Sequence, residues 1–150
     1  GQLADVKSRQ GTVIKYGRGK VKKPQDILSV KANMLITAAL PDLVKDADVP
    51  KMRFKLIIEG SNIPMSEQTE VMLHRKGILV IPDFVANAGG VISSYVEYMG
   101  GNNEEMFRLV EKKITENTMT VLQKVREERL HPRAAALEIA KERILSASRQ

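Results

Sequence analysis

Three short apolar runs constrain this chain more than any other feature: MLITAAL at 34–40, FKLIIEGSN at 54–62 and GILVIPDF at 77–84. None alternates apolar with polar residues, as a half-exposed strand does. Continuous runs of this length fit strands covered on both faces, which is the habit of parallel sheets. Parallel neighbours need a crossover, and the connectors supply one. Between the second and third runs, MSEQTEVMLHRKG offers Ser66 as an N-cap, Val71, Met72 and Leu73 as an apolar face, and Gly77 as the C-terminal stop. Between the first and second, PDLVKDADVPKM is shorter and broken by Pro50, so it predicts a short helix or a pair of turns. Strand, connector, strand, helix, strand is the α/β crossover pattern.

After Gly100-Gly101 the pattern changes to a helical one. Phe107, Val110, Ile114, Val121 and Val125 recur at near-helical spacing, with Asn102 or Asn103 as cap and Glu104-Glu105 in the first turn. His131-Pro132 breaks this helix, and Pro132 suits the first turn of a last one over RAAALEIAKERILSASRQ. The two helices are predicted to cover the sheet. At 150 residues the whole is about the size of one domain.

Composition removes several kinds of chemistry. The sequence contains no cysteine, which excludes disulfides, thiolate catalysis and cysteine-ligated metals. Its two histidines, His74 and His131, are far apart in sequence without metal-ligand spacing, and read as surface or interhelix residues. No apolar stretch approaches the ~20 residues of a membrane span, and the opening GQLADVKSRQ is too polar for a signal peptide, so a cytoplasmic protein is expected. The net charge of +6 resides entirely in residues 1–31, where eight Lys/Arg face two Asp. A basic groove interleaved with aromatics would point to nucleic acid, but Tyr16 is the only aromatic there. The Gly-punctuated GTVIKYGRGKVKK therefore reads as a solvated loop or hairpin. Neither a nucleic acid nor a membrane is an expected partner.

In open α/β sheets ligands bind beyond the carboxyl ends of the strands. Here those ends are Thr37-Ala38-Ala39, Glu59-Gly60-Ser61-Asn62, and Asp83 followed by Asn87-Ala88-Gly89-Gly90. Small residues let a flat ligand approach the backbone, and Asn62 and Asn87 each offer a donor and an acceptor. The same residues also suit a tight turn at Gly89-Gly90 with asparagines capping local structure. A helix starting near Gly90 would favour an anion at its N-terminus. Val91 and Ser94, three apart, share one face of it. A hydroxyl donating to a ligand carboxylate is worth roughly 1.5–3 kcal/mol. The alternative is that Ser94 bonds back to a helix carbonyl.

The segments LITAALPDLV, KLIIEGSNIP and KGILVIPDFVANAGGVISSYVEY, with Arg133-Ala134-Ala135-Ala136 in the last helix, resemble the C-terminal dinucleotide-binding domain of the glutamate/leucine/phenylalanine/valine dehydrogenases. Among these, archaeal or bacterial glutamate dehydrogenases are the most alike. The resemblance implies reversible NAD(P)-dependent deamination of L-glutamate to 2-oxoglutarate and ammonia, in a homo-oligomer. It implies that Ala38, Ala39 and Asn62 lie along the cofactor, Asn87 near the nicotinamide, and Val91 and Ser94 around the substrate side chain. Branched-chain and aromatic relatives carry an apolar residue where Ser94 stands, so the hydroxyl points to a substrate with a side-chain carboxylate. The implied fold class is α/β: a partial Rossmann-like three-layer fold with a short parallel sheet and C-terminal covering helices. Its expected divisions are a basic segment or hairpin at 1–31, the second half of the dinucleotide-binding domain at 32–101, and covering helices at 102–150.

Two parts of the family pattern are missing. GRGK at 17–20 follows no strand-to-helix pattern and is not the Gly-rich pyrophosphate turn, and no acidic residue follows it at the expected distance. The substrate domain, with its catalytic lysine and aspartate, is also absent from this sequence. Ser61-Asn62 replaces the more usual Ala-Asn. The start at Gly1 adds to the expectation of a piece of a longer enzyme, inactive alone and with weak or no cofactor affinity. NAD and NADP are not distinguished. The strand at 34–38 is then expected to form an exposed apolar edge, open to pairing. A stand-alone binding or regulatory module is the alternative from another functional class.

Overall fold

The structure is a computed structural model and describes residues Gly1–Arg149. Its centre is a three-stranded, wholly parallel sheet, β1 (Met34–Thr37), β2 (Leu56–Glu59) and β3 (Leu79–Ile81), in the order β1-β2-β3. The register pairs Thr37 with Glu59 and Ile58 with Ile81, so the three strands end nearly level. Among the described residues there are six helices: α1 (Gln2–Gln10), α2 (Glu67–Arg75), α3 (Asp83–Ala86), α4 (Gly89–Tyr98), α5 (Asn103–Glu128) and α6 (Pro132–Ala147). Two 3-10 turns, Pro24–Ser29 and Asp46–Lys51, complete the order, the second standing where Pro50 predicted a short helix or turns. Among the described residues no helix is long and apolar enough to cross a membrane.

Local chemistry explains the boundaries. Ser66 caps α2 by accepting the Thr69 N–H, and Gly77 ends that connection at φ +82, where a side chain would be strained. Asn102 caps α5 in a reciprocal box with Glu105, each side chain accepting the other's backbone N–H at about 3 Å. Pro132 begins α6, as its fixed φ favours.

The sheet has a different core on each face. On one, Leu35, Ile57 and Val80 pack with Leu73 of α2 and with Leu28, Val44 and Val49. On the other, Leu56, Ile58, Leu79 and Ile81 meet Val121 of α5 and Ala135 and Ala136 of α6. β2 and β3 are thus covered on both faces by helices, as continuous apolar runs predict. β1 is not. Its burial alternates, and Met34 and Ile36 are 48% and 57% exposed on the face that α5 and α6 leave open. The expectation of two covered faces fails there because the helical layer ends over β2. β1 is also an edge strand, as anticipated.

Two further differences from the sequence reading appear, and one alternative it left open is decided. Helix α1 lies in the polar opening segment, where no buried residue gave an apolar face to read. Residues 12–23 form no strand pair, so of loop and hairpin the loop is found. Phe107, expected in the apolar stripe of α5, is 67% exposed, whereas Val121 in the same stripe is buried.

Candidate functional site

The level strand ends create the site. Beyond β2, the Ser61 N–H donates to the Thr37 carbonyl at 2.7 Å, extending the β1–β2 pairing one step past the sheet. Gly60 sits in this step. A Cβ there would stand 2.9 Å from the Thr37 oxygen, so only glycine lets the two chain ends come this close. The result is a crevice of about 700 Å3 with Ala38, Ala39, Gly60, Asn62, Asn87 and Val91 among its walls. Five of the six residues singled out from sequence are therefore neighbours. The Asn87 amide Nδ2 donates to the Asn62 Oδ1 across the crevice, which leaves each amide its other polar atom.

Ser94 is one turn further along α4, outside those walls. It is exposed, and its hydroxyl donates to the Gly90 carbonyl at 3.2 Å, the alternative that its helical position allowed. Ser93 makes the same bond at 2.8 Å, so the two serines are less distinct than their spacing suggests. The Gly89-Gly90 pair divides its work. A Cβ on Gly89 would lie 3.3 Å from a Val110 methyl, so its smallness seats α4 against α5, whereas Gly90 has open space beside it and lines the crevice.

Below the rim lies a buried ion cluster that the sequence did not reveal as a unit. Arg133, from the first turn of α6, donates through Nε to Glu70 Oε1 at 2.7 Å. Its Nη2 donates to Asp83 Oδ1 at 2.9 Å and to Glu59 Oε2 at 3.1 Å, and the guanidinium lies 5.3 Å from the centre of the Phe84 ring. Glu59 is fully buried, and its Oε2 also accepts the Asp83 N–H at 2.9 Å. One cation thus ties together β2, α2, the start of α3 and α6.

Three carboxyl groups sharing one cation do not ionise alike. Burial, reinforced by the charge of Glu70, pushes Glu59 up to about 8, so at neutral pH it is largely protonated. Burial also raises Glu70, against the opposing bond from Arg133. Burial would raise Asp83 as well, but the Ile63 N–H, Arg133 and the Phe84 N–H outweigh it, and its carboxyl is held below the usual range. Arg133 is held in its charged form by Glu70 and Asp83 despite its burial. Glu59 Oε1 and its register partner's hydroxyl, Thr37 Oγ1, are both buried without a hydrogen-bond partner, as is Ser61 Oγ.

The backbone at the rim is strained. Ile63 adopts φ +46 and Asp42 φ +54, a left-handed region that a β-branched residue such as isoleucine rarely enters. The two are bonded to one another, Asp42 N–H to Ile63 carbonyl at 2.9 Å, and the Ile63 N–H donates to Asp83 Oδ2 at 2.9 Å. His74 and His131, distant in sequence, lie with ring centres 6.5 Å apart as interhelix residues between α2 and α6, and His131 Nε2 is 3.8 Å from Glu67 Oε1.

The Glutamate/Leucine/Phenylalanine/Valine dehydrogenase family model matches residues 1–150. Glutamate dehydrogenase of Aeropyrum pernix is 39% identical over 152 aligned residues, covering 95% of this chain and 36% of that protein. NADP-specific glutamate dehydrogenase of Saccharolobus shibatae is 36% identical over 117, covering 74% of this chain and 28% of its own length. The chain therefore spans only about a third of the curated relatives it matches. Among solved structures, L-tryptophan dehydrogenase from Nostoc punctiforme superposes with a TM-score of 0.80 at 27% identity, over 99% of this chain and 42% of that one. Matched along its whole length by one family model, the chain belongs to the Glutamate/Leucine/Phenylalanine/Valine dehydrogenases.

Proposed function

We propose that this chain forms the nicotinamide end of the cofactor crevice in an NAD(P)-dependent amino-acid dehydrogenase that interconverts L-glutamate and 2-oxoglutarate with ammonia. The observation that carries the reading is the crevice at the three strand ends, where alanines and glycines meet two facing asparagine amides. Its walls fit a flat, amide-bearing ring: Ala38, Ala39 and Gly60 leave room for close approach, and Asn62 and Asn87 retain polar atoms for it. When bound, the nicotinamide supplies hydride transfer at the substrate α-carbon. Family membership supports the choice of cofactor, and the relatives named as glutamate dehydrogenases support the substrate. NAD and NADP stand equally.

The contribution of these residues is orientation. Holding two reactants in register removes much of the entropy that a bimolecular encounter would cost. Asn62 and Asn87 fix the ring, and Val91 offers an apolar wall beside it. Ser94, exposed on the next turn of α4, turns its hydroxyl from the Gly90 carbonyl toward a substrate side-chain carboxylate. In this reading general acid–base chemistry falls to a lysine and an aspartate of a substrate domain outside this sequence, and assembly as a homo-oligomer belongs to that complete enzyme.

The 150-residue chain is accordingly expected to show no glutamate turnover, and detectable turnover by the purified chain would contradict the division of labour. Substrate choice is tested by Ser94→Val in the complete enzyme carrying this domain. Loss of one hydroxyl–carboxylate bond should lower the glutamate-over-leucine ratio of kcat/KM about ten- to a hundredfold. An unchanged ratio removes the glutamate assignment.

A further inference from the structure

The strained rim and the buried cluster below it are joined by a single chain of hydrogen bonds. Arg133 reaches Asp83 Oδ1, and Asp83 Oδ2 accepts the N–H of Ile63, the residue held at φ +46. Ile63 directly follows Asn62, whose side-chain Oδ1 accepts from the Asn87 amide Nδ2. Asp83 also begins α3, and the Asn87 N–H donates to the Asp83 carbonyl at 2.7 Å. Both asparagines are thus anchored, on opposite sides of the crevice, to the same aspartate.

We infer that Arg133 is a positioning residue: it fixes Asp83, and through Asp83 it holds Ile63 in the left-handed conformation that keeps Asn62 opposite Asn87. Arg133 touches neither asparagine and lies outside the crevice walls. Three features make it suited to the task. Its planar fork engages three carboxyl groups from separate elements at fixed angles, which a lysine ammonium cannot do. Stacking on Phe84 confines it further. Last, an isoleucine does not enter the left-handed region unaided, so restraints must hold it there; the bond to Asp83 is the one on its N–H, beside the Asp42 N–H that its carbonyl accepts. The bearing of this clamp on catalysis rests on the cofactor reading above; the clamp itself does not.

The test is a 15N–1H spectrum of the chain, read at the side-chain amides of Asn62 and Asn87 without any nucleotide. In Arg133→Lys the two amide pairs should shift together toward the positions of solvent-exposed asparagine, while the backbone signals of α5 stay in place. The same substitution in an Ile63→Gly background should produce a smaller shift, because glycine enters the left-handed region without a restraint. Should Arg133→Lys fail to fold, Asp83→Asn is compared in the same two backgrounds, since it leaves Arg133 its bonds to Glu59 and Glu70. Unmoved Asn62 and Asn87 amides in a folded variant overturn the inference. Equal shifts in both backgrounds also overturn it, since they would mean a general loosening. A failure here leaves the cofactor reading intact, and failure of the Ser94→Val experiment leaves the clamp intact.

Discussion

Two places in the molecule set a single cation among three carboxylates, and they behave as opposites. Arg133 meets Glu59, Glu70 and Asp83, with 17% of its side chain exposed and Glu59 fully buried. Lys124 on α5 meets Glu128 at 2.8 Å, Glu138 at 3.2 Å and Glu142 at 3.6 Å, and those carboxylates are 46–69% exposed. Composition is nearly the same, and Lys124, at 16% exposed, is covered as well as Arg133; the carboxylates around the two are not. Around Lys124, water screens each pair. Around Arg133, burial raises two carboxyl groups while hydrogen bonds lower the third, so the groups acquire distinct states. The surface cluster pins two helices to one another. The buried one ties four elements to the rim where the strand ends meet.

The comparison breaks most visibly at Arg133→Met. Removing the Arg133 cation from three buried carboxyl groups should cost about 3–5 kcal/mol. For a chain of this size that lowers the thermal midpoint by roughly 10 °C, measured by far-ultraviolet circular dichroism at neutral pH. The loss should shrink at mildly acidic pH, where the orphaned carboxyl groups protonate. A drop no larger than that of a surface substitution would show that burial does not separate the two clusters.

A smaller effect, confined to one pH range, comes from Glu59. Its ordinary value of 4.5 is raised to about 8 in the folded chain, so between these limits the native state holds a proton that the unfolded state releases. Stability contributed by the proton is complete below the ordinary value and is lost as pH rises toward 8. The slope is at most about 1.4 kcal/mol per pH unit, and Glu70, also raised, acts in the same direction. Asp83, held low, acts oppositely and loses its contribution only as pH falls through its depressed value. Glu59→Gln should therefore flatten the decline in urea midpoint over that window. A variant whose midpoint falls with pH as steeply as the wild type would mean that Glu59 is ionised throughout.

The contrast also explains what could be read from the sequence. Strands and helix limits were legible because each has a local signature: continuous apolar runs, Ser66 and Asn102 as caps, Gly77 and Pro132 as punctuation. The crevice was legible because the ends of a parallel sheet are a place that topology alone defines. Met34 and Ile36 were misread because an exposed apolar side chain is written the same way as a buried one. Arg133 escaped for a different reason. Its partners lie 50, 63 and 74 positions away, and charges in sequence do not state their pairing. The same holds for Ile63, an isoleucine with nothing beside it to announce a left-handed backbone. Long-range polar pairing and strain arise only once the chain is folded.

The smallest expected effect is at Lys124, and it sharpens the comparison by its smallness. Lys124→Met leaves three glutamates that remain in water and repel one another only weakly. The i,i+4 pair with Glu128 lies within α5, while Glu138 and Glu142 reach across from α6, so the lost attraction falls chiefly on the α5–α6 junction. The midpoint should fall detectably only at low salt, and the difference from wild type should vanish near 1 M salt, where the screening length shrinks to about 3 Å. The Arg133→Met loss should survive the same salt almost unchanged, because its charges are shielded from ions as well as from water. If both losses fade together with salt, water reaches the Arg133 cluster as freely as it reaches Lys124, and the division between a pin on the surface and a clamp beneath the rim disappears.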